Sequence, residues 1–159
     1  MNFFSESASE PPADTASIRA AEQCLGVKLP ASYVALLLQH NGGRPARRFW
    51  ATNVRTSWAD DHIEVTRLLG VGGEEGIDGP FGSKYLVAEW GYPDLGVVIF
   101  DTPAAGPDCV MLDYRQCDAA GEPRVVFIDE DRTVVALAAT FALFVRGLVE
   151  KTGLPSVRR

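Results

Sequence analysis

The order of parts between Ile18 and Gly43 constrains this chain more than any other feature. The segment IRAAEQCLGVKLPASYVALLLQHNGG reads as a short amphipathic helix, a Leu-Pro break, a second and more apolar helix, and an Asn-Gly-Gly stop. Ile18, Ala21, Cys24 and Leu25 recur at i, i+3, i+6 and i+7, one helical stripe. Asp14, Thr15 or Ser17 can cap its start, and Gly26 suits the left-handed position just past its end. Leu29-Pro30 opens the second helix, where a missing N–H costs nothing in the first turn. Tyr33, Leu36, Leu37 and His40 share a face there, and Val34 and Leu38 make the rest nearly apolar, the pattern of a buried helix. Asn41-Gly42-Gly43 ends it.

Beyond this segment the rhythm changes. Arg48–Thr52 and Ile63–Leu69 read as short strands, the second with imperfect alternation. Gly70–Gly82 holds six glycines with Glu74, Glu75 and Asp78 and reads as a long loop. Ser83 is positioned to cap a helix over Lys84–Trp90, closed by Gly91 and Pro93. Three apolar runs follow, Leu95–Phe100, Cys109–Leu112 and Val125–Ile128, separated by turn formers too short for a crossover helix. They predict an antiparallel meander, and their continuous apolarity requires helices over at least one face. A last helix is expected from about Val135 to Thr152, with Leu137, Phe141, Phe144 and Leu148 on one stripe. The predicted architecture is one α+β domain: two N-terminal helices, a mainly antiparallel sheet and a C-terminal helix packed on it. Its expected bounds are residues 15–153, between a mobile N-terminal arm (1–14) and a short tail (154–159).

A chain of 159 residues can bury about two-thirds of its unfolded surface. No run approaches the ~20 apolar residues of a membrane span. The first residues lack the basic and apolar regions of a secretory signal. Three cysteines, Cys24, Cys109 and Cys117, are an odd number without CxxC spacing; they read as reduced, with Cys24 and Cys109 in the core, and place the expected compartment in the cytoplasm. The net charge of −6 argues against a nucleic-acid-binding surface. Arg44, Arg47, Arg48 and Arg55 stand without an acid between residues 44 and 55. Residues 60–78 carry Asp60, Asp61, Glu64, Glu74, Glu75 and Asp78 against Arg67 alone. Such runs are either solvated loops or a surface that steers a basic partner.

Catalytic constellations are weak. His40 and His62 are isolated; the first reads as a helix-end residue near the terminal carbonyls, the second as a surface group beside Asp60-Asp61. Two scattered histidines and three scattered cysteines do not make a metal site, and no cofactor is expected. Gly76–Lys84 fails as a phosphate loop, because five residues separate its outer glycines and serine precedes the lysine. Asp129-Glu130-Asp131 reads as a turn after the third apolar run. Asp101 and Asp113 each close an apolar run, and a shared sheet rim would let them work as an acid–base pair. Phe49 and Trp50 read as strand aromatics among solvated arginines. Trp58, in polar surroundings, is the better interface anchor.

Glu22, Leu25-Gly26, Leu29-Pro30, Tyr33 and Asn41-Gly42-Gly43 together resemble the N-terminal signature of the SUKH superfamily, which includes the Smi/Knr-type regulators and many bacterial immunity proteins. EWGYPDLGVVIFDTPAAGPD, LDYR, GEPRVVFIDED and LAATFALFVRGL extend the likeness in order to Leu148. Many members of the subgroup carry histidines where this chain has Pro107 and Phe127, so imidazole chemistry is not implied here. The resemblance implies a non-enzymatic protein-binding domain, an immunity protein that neutralises a cognate toxin by occluding its active surface. A regulatory interaction module linked to cell-wall synthesis is the alternative, and a small-molecule or enzymatic site near Asp101 and Asp113 a third. Charge and aromatic placement nominate Trp58, Asp60, Asp61, Glu64, Glu74, Glu75, Asp78 and Trp90 as the partner surface.

Overall fold

In the computed structural model, which describes residues 2–5 and 10–155, the N-terminal signature folds by mutual capping. Helix α1 spans Thr15–Leu25; the Ser17 N–H donates to Asp14 Oδ1 at 2.7 Å while the Asp14 N–H reaches Ser17 Oγ at 3.3 Å. Satisfying both free donors fixes where the helix begins. Gly26 ends it at φ 69°, left-handed. Glu22 then accepts the Leu29 N–H at 2.7 Å, setting the entry to α2 (Ala31–Leu37). Helix α2 is shorter and less enclosed than its composition predicts: Tyr33 and Leu37 are buried, but Leu38, just past its end, is 44% exposed. Cys24 is also exposed, whereas Cys109 is buried. The α1 stripe meets the core through Ile18, Ala21 and the half-buried Leu25, and Cys24 falls outside it.

Strands β1 (Phe49–Ala51) and β2 (His62–Glu64) form a two-stranded antiparallel sheet. A second sheet runs β3-β4-β5-β6-β7, antiparallel throughout: Arg67–Leu68, Gly96–Asp101, Cys109–Asp113, Arg124–Ile128 and Val134–Ala138. The expected single strand Ile63–Leu69 is therefore two. Val65 still donates to Arg48 beside β1, but Thr66 donates to Asp101 on β4. The buried positions change from Ile63 and Val65 to Leu68 and Leu69 at that crossing, which explains the broken alternation.

All five residues of β5 are buried, which requires cover on both faces. Helix α3 (Ser83–Trp90) packs against β4. Its first residue is not the cap, a place taken by Gly82; the buried Ser83 Oγ instead accepts the Val98 N–H at 2.9 Å, beside an irregularity in the β4–β5 ladder. Helix α4 (Phe141–Gly147) packs on β6, β7 and α2. Its Phe141 and Phe144 meet Phe100 at 6.4 and 5.5 Å between ring centres, and Phe141 meets Tyr33 at 5.1 Å.

The long C-terminal helix expected over Val135–Thr152 is corrected to β7, α4 and a 3₁₀ turn at Lys151–Gly153. Val134 and Val135 pair with β6, a ladder that suits β-branched side chains. Thr140 then starts the helix, accepting the Leu143 N–H at 3.1 Å. Leu137 belonged to the predicted stripe by coincidence of spacing. Residues 2–5 of the expected arm lie against the domain: Phe4 is 2% exposed, and Ser5 donates to Arg44 at 2.9 Å. Residues 1 and 6–9 of that segment and 156–159 of the tail lie outside the described residues.

Candidate partner-binding rim

The signature residues hold the fold together. Asn41 clamps Val71 from both sides, its Nδ2 donating to Val71 O and its Oδ1 accepting the Val71 N–H, each at 2.8 Å. Gly43 exchanges two backbone hydrogen bonds with Leu68. Gly42, at φ 87°, lies where a Cβ would meet Leu68 O at 2.6 Å, so only glycine fits between the two segments. The Tyr33 hydroxyl donates to Leu69 O at 2.5 Å. Leu29 and Pro30 are buried at the start of α2. His40 does not serve the helix carbonyls; its Nδ1 lies 3.1 Å from Glu10 O and its ring against Phe4.

Antiparallel pairing sends alternate strands to opposite ends of the sheet, and this separates Asp101 from Asp113. Asp113 pairs with Gly96, the residue that starts the strand Asp101 finishes. The two aspartates therefore lie on opposite rims and cannot act as a pair. Asp101 instead shares its rim with Asp108, which immediately precedes β5, and with Asp129, Glu130 and Asp131 in the β6–β7 turn.

This rim is acidic. Asp101 receives Arg67 Nε at 3.1 Å, and the same guanidinium reaches Glu75 at 3.3 Å. Burial raises the Asp101 carboxyl above its ordinary range, against the pull of Arg67. Asp108 is 3% exposed and accepts the Thr102 hydroxyl. Burial raises its carboxyl too; the Thr102 bond opposes this, and the charges of Glu130 and Asp129 add to it. Asp129 does more than turn the chain: it accepts the Ser57 N–H at 2.9 Å and the Ser57 hydroxyl, tying the β1–β2 loop to the rim. Arg132, at φ 71° in the same turn, donates to Pro107 O at 2.8 Å and to Trp90 O, and stands 5.3 Å from the Tyr92 ring centre.

The eight nominated residues fall on three elements flanking this rim. Trp58, Asp60 and Asp61 sit in the β1–β2 loop and Glu64 ends β2. Trp58 is 41% exposed, Asp60 pairs with Arg55 at 3.2 Å, and Asp61 reaches His62 at 2.8 Å. Glu74 and Glu75 are exposed in the glycine-rich loop, where they line a shallow cleft of about 320 Å³ with Arg67 and Asn41. Asp78 turns inward and accepts the Gly72 N–H at 2.8 Å, a structural role. Trp90, at the end of α3, is half-buried and lines a second cleft of about 230 Å³ together with Tyr92, Asp101 and Asp108. Each element is joined to the rim: Ser57 to Asp129, Glu75 to Arg67, Trp90 to Arg132. Sequence reading missed Asp108 and the tie made by Asp129. The available signal was that the end of one antiparallel strand neighbours the start of the next.

On the opposite rim Asp113, fully enclosed, accepts Arg115 Nη2 and Arg124 Nε, each at 2.9 Å. Burial alone would raise this carboxyl; the two arginines overcome it and hold its pKa at about 2. Burial pushes the Cys109 thiol up, out of the nucleophilic range. Among the described residues no three His, Cys, Asp or Glu side chains are grouped to hold a metal ion, and no helix is long and apolar enough to cross a membrane.

Residues 12–147 match the family model described as SMI1 / KNR4 family (SUKH-1). No curated protein matches the chain.

Proposed function

This chain belongs to the SMI1 / KNR4 family (SUKH-1), and on that premise we propose that it is a non-enzymatic binding protein that neutralises a protein toxin by covering its active surface. The observation that carries the reading is the acidic rim. Asp101, Asp108, Asp129, Glu130 and Asp131 gather at one end of the sheet, with the exposed Trp58 and half-buried Trp90 beside them. Toxins that act on nucleic acids or other anionic substrates need basic active surfaces, and an acidic cover is complementary to these. Aromatic anchors ringed by polar groups are common centres of such interfaces, and a stable one buries on the order of 1,600 Å². The buried thiol, the separated aspartates and the structural use of the signature residues support a role in binding rather than catalysis. No metal or cofactor is part of the proposal, and the proposed compartment is the cytoplasm, where the toxin would act.

The test is affinity capture from native cells, followed by identification and assay of what is bound. Recovery of a toxin whose activity is suppressed stoichiometrically supports immunity. Recovery of several moderate-affinity partners, no toxin among them, replaces it with a regulatory interaction module.

A further inference from the structure

We infer that the cleft between Trp90 and the adjoining ends of β4 and β5 receives the cationic end of a lysine or arginine side chain presented by the partner protein. This rests on the reading of the rim as a partner surface and names what one part of that surface takes.

Size comes first. About 230 Å³ is below the roughly 300–1,000 Å³ of pockets that enclose whole small ligands, and suits the end of one long side chain. Leu86, Trp90 and Tyr92 offer apolar and aromatic wall for an aliphatic stem, while Asp101 and Asp108 supply negative charge. Among the described residues no lysine or arginine lines the cleft. Both nearby arginines are engaged: Arg67 on Asp101 and Glu75, Arg132 on the carbonyls of Pro107, Glu130 and Trp90.

The independent observation is the state of Asp108. It is almost wholly buried, yet among the described residues it forms no ion pair, and the only hydrogen bond its side chain accepts from another residue comes from Thr102. A buried carboxylate without a counter-charge is costly to ionise. Asp113, as buried, has two arginines. An entering lysine or arginine would give Asp108 the counter-charge that Asp113 draws from its two arginines. Gly106 leaves room for the Trp90 wall, because any side chain there would run into the indole ring.

The experiment is an NMR titration of the purified protein with the methylamides of N-acetyl-lysine, N-acetyl-arginine and, as the neutral control, N-acetyl-norleucine. Saturable shifts centred on the Trp90 indole N–H and on Thr102 are expected with the two cationic probes and not with norleucine. Asp108→Asn, which keeps shape and removes charge, should weaken that binding at least tenfold. Leu86→Phe, which fills the cleft and leaves both carboxylates, should abolish it, and carries the test if the first variant misfolds. Equal titration of wild type and a folded variant, or shifts centred on Trp58 or Glu74, overturns the inference. Probe binding with no toxin captured sinks the immunity reading and supports the cleft. A captured toxin indifferent to both folded variants sinks the cleft and leaves immunity standing.

Discussion

The two rims of the five-stranded sheet each bury an aspartate, and they treat it in opposite ways. At the Asp113 rim two guanidinium groups converge on the carboxylate, its pKa falls to about 2, and the residue is a fixed strut. At the Asp108 rim the nearest arginines face other acceptors, burial raises the carboxyl, and other acids crowd round it. The compensated charge serves the fold; the uncompensated one is where the proposed cation of a partner would dock. A buried charge kept unpaired for a partner lowers the stability of the protein alone.

The core between the rims sets the scale for testing this. Phe141→Ala, removing a wholly buried ring from the centre of the helix-on-sheet contact, should cost about 3–5 kcal/mol by denaturant unfolding. An unchanged midpoint would remove the packing on which both rims depend. Asp113→Asn comes next, at roughly 2–3 kcal/mol, because two partly covered arginines lose their shared acceptor. Its wild-type counterpart is a pH effect. A carboxylate held at about 2 against an ordinary ~3.9 stabilises the fold fully above about pH 4, and that stability is lost as pH falls towards 2. The Asn variant should lack this part of the acid slope.

Asp108→Asn should do the reverse. Its raised pKa means folding disfavours the charged form, so neutralisation should leave stability unchanged or raise it at neutral pH. A loss comparable with that of Asp113→Asn would erase the distinction between the rims. Smaller again, at roughly 0.5 kcal/mol per position, should be the stability effect of reversing the exposed Asp60, Glu74 and Glu75 and the half-buried Asp61 to lysine. The same variant should associate much more slowly with a basic toxin at low salt and protect cells poorly. Full protection with unchanged kinetics would clear these flanks of any part in binding.

Much of the fold is legible in local chemistry along the chain. Asp14, Ser17 and Gly26 mark α1, and the three apolar runs are β4, β5 and β6 almost residue for residue. What the sequence conceals depends on pairing at a distance. Val134–Ala138 carries helix-compatible spacing, and only the neighbouring β6 makes it a strand. The nominated acids are legible as charge, and Glu74 and Glu75 are exposed as expected. The rim they flank is not, since its membership follows from strand direction. Reading Asp101 with Asp113 ignores that direction; reading it with Asp108 requires only that adjacent strands run oppositely.

One further consequence follows from the bridge between Phe49 and Val149, about a hundred residues apart. At roughly 5–20 residues per second, a ribosome needs several seconds to some twenty seconds to deliver the second residue after the first. Over that interval β1 has no partner at Val149, and Tyr33 waits for Phe141. Much of the meander can emerge and pair first, but the enclosure of its core must wait for α4. The chain therefore has a vulnerable period during its own synthesis, set by topology rather than by the strength of any contact.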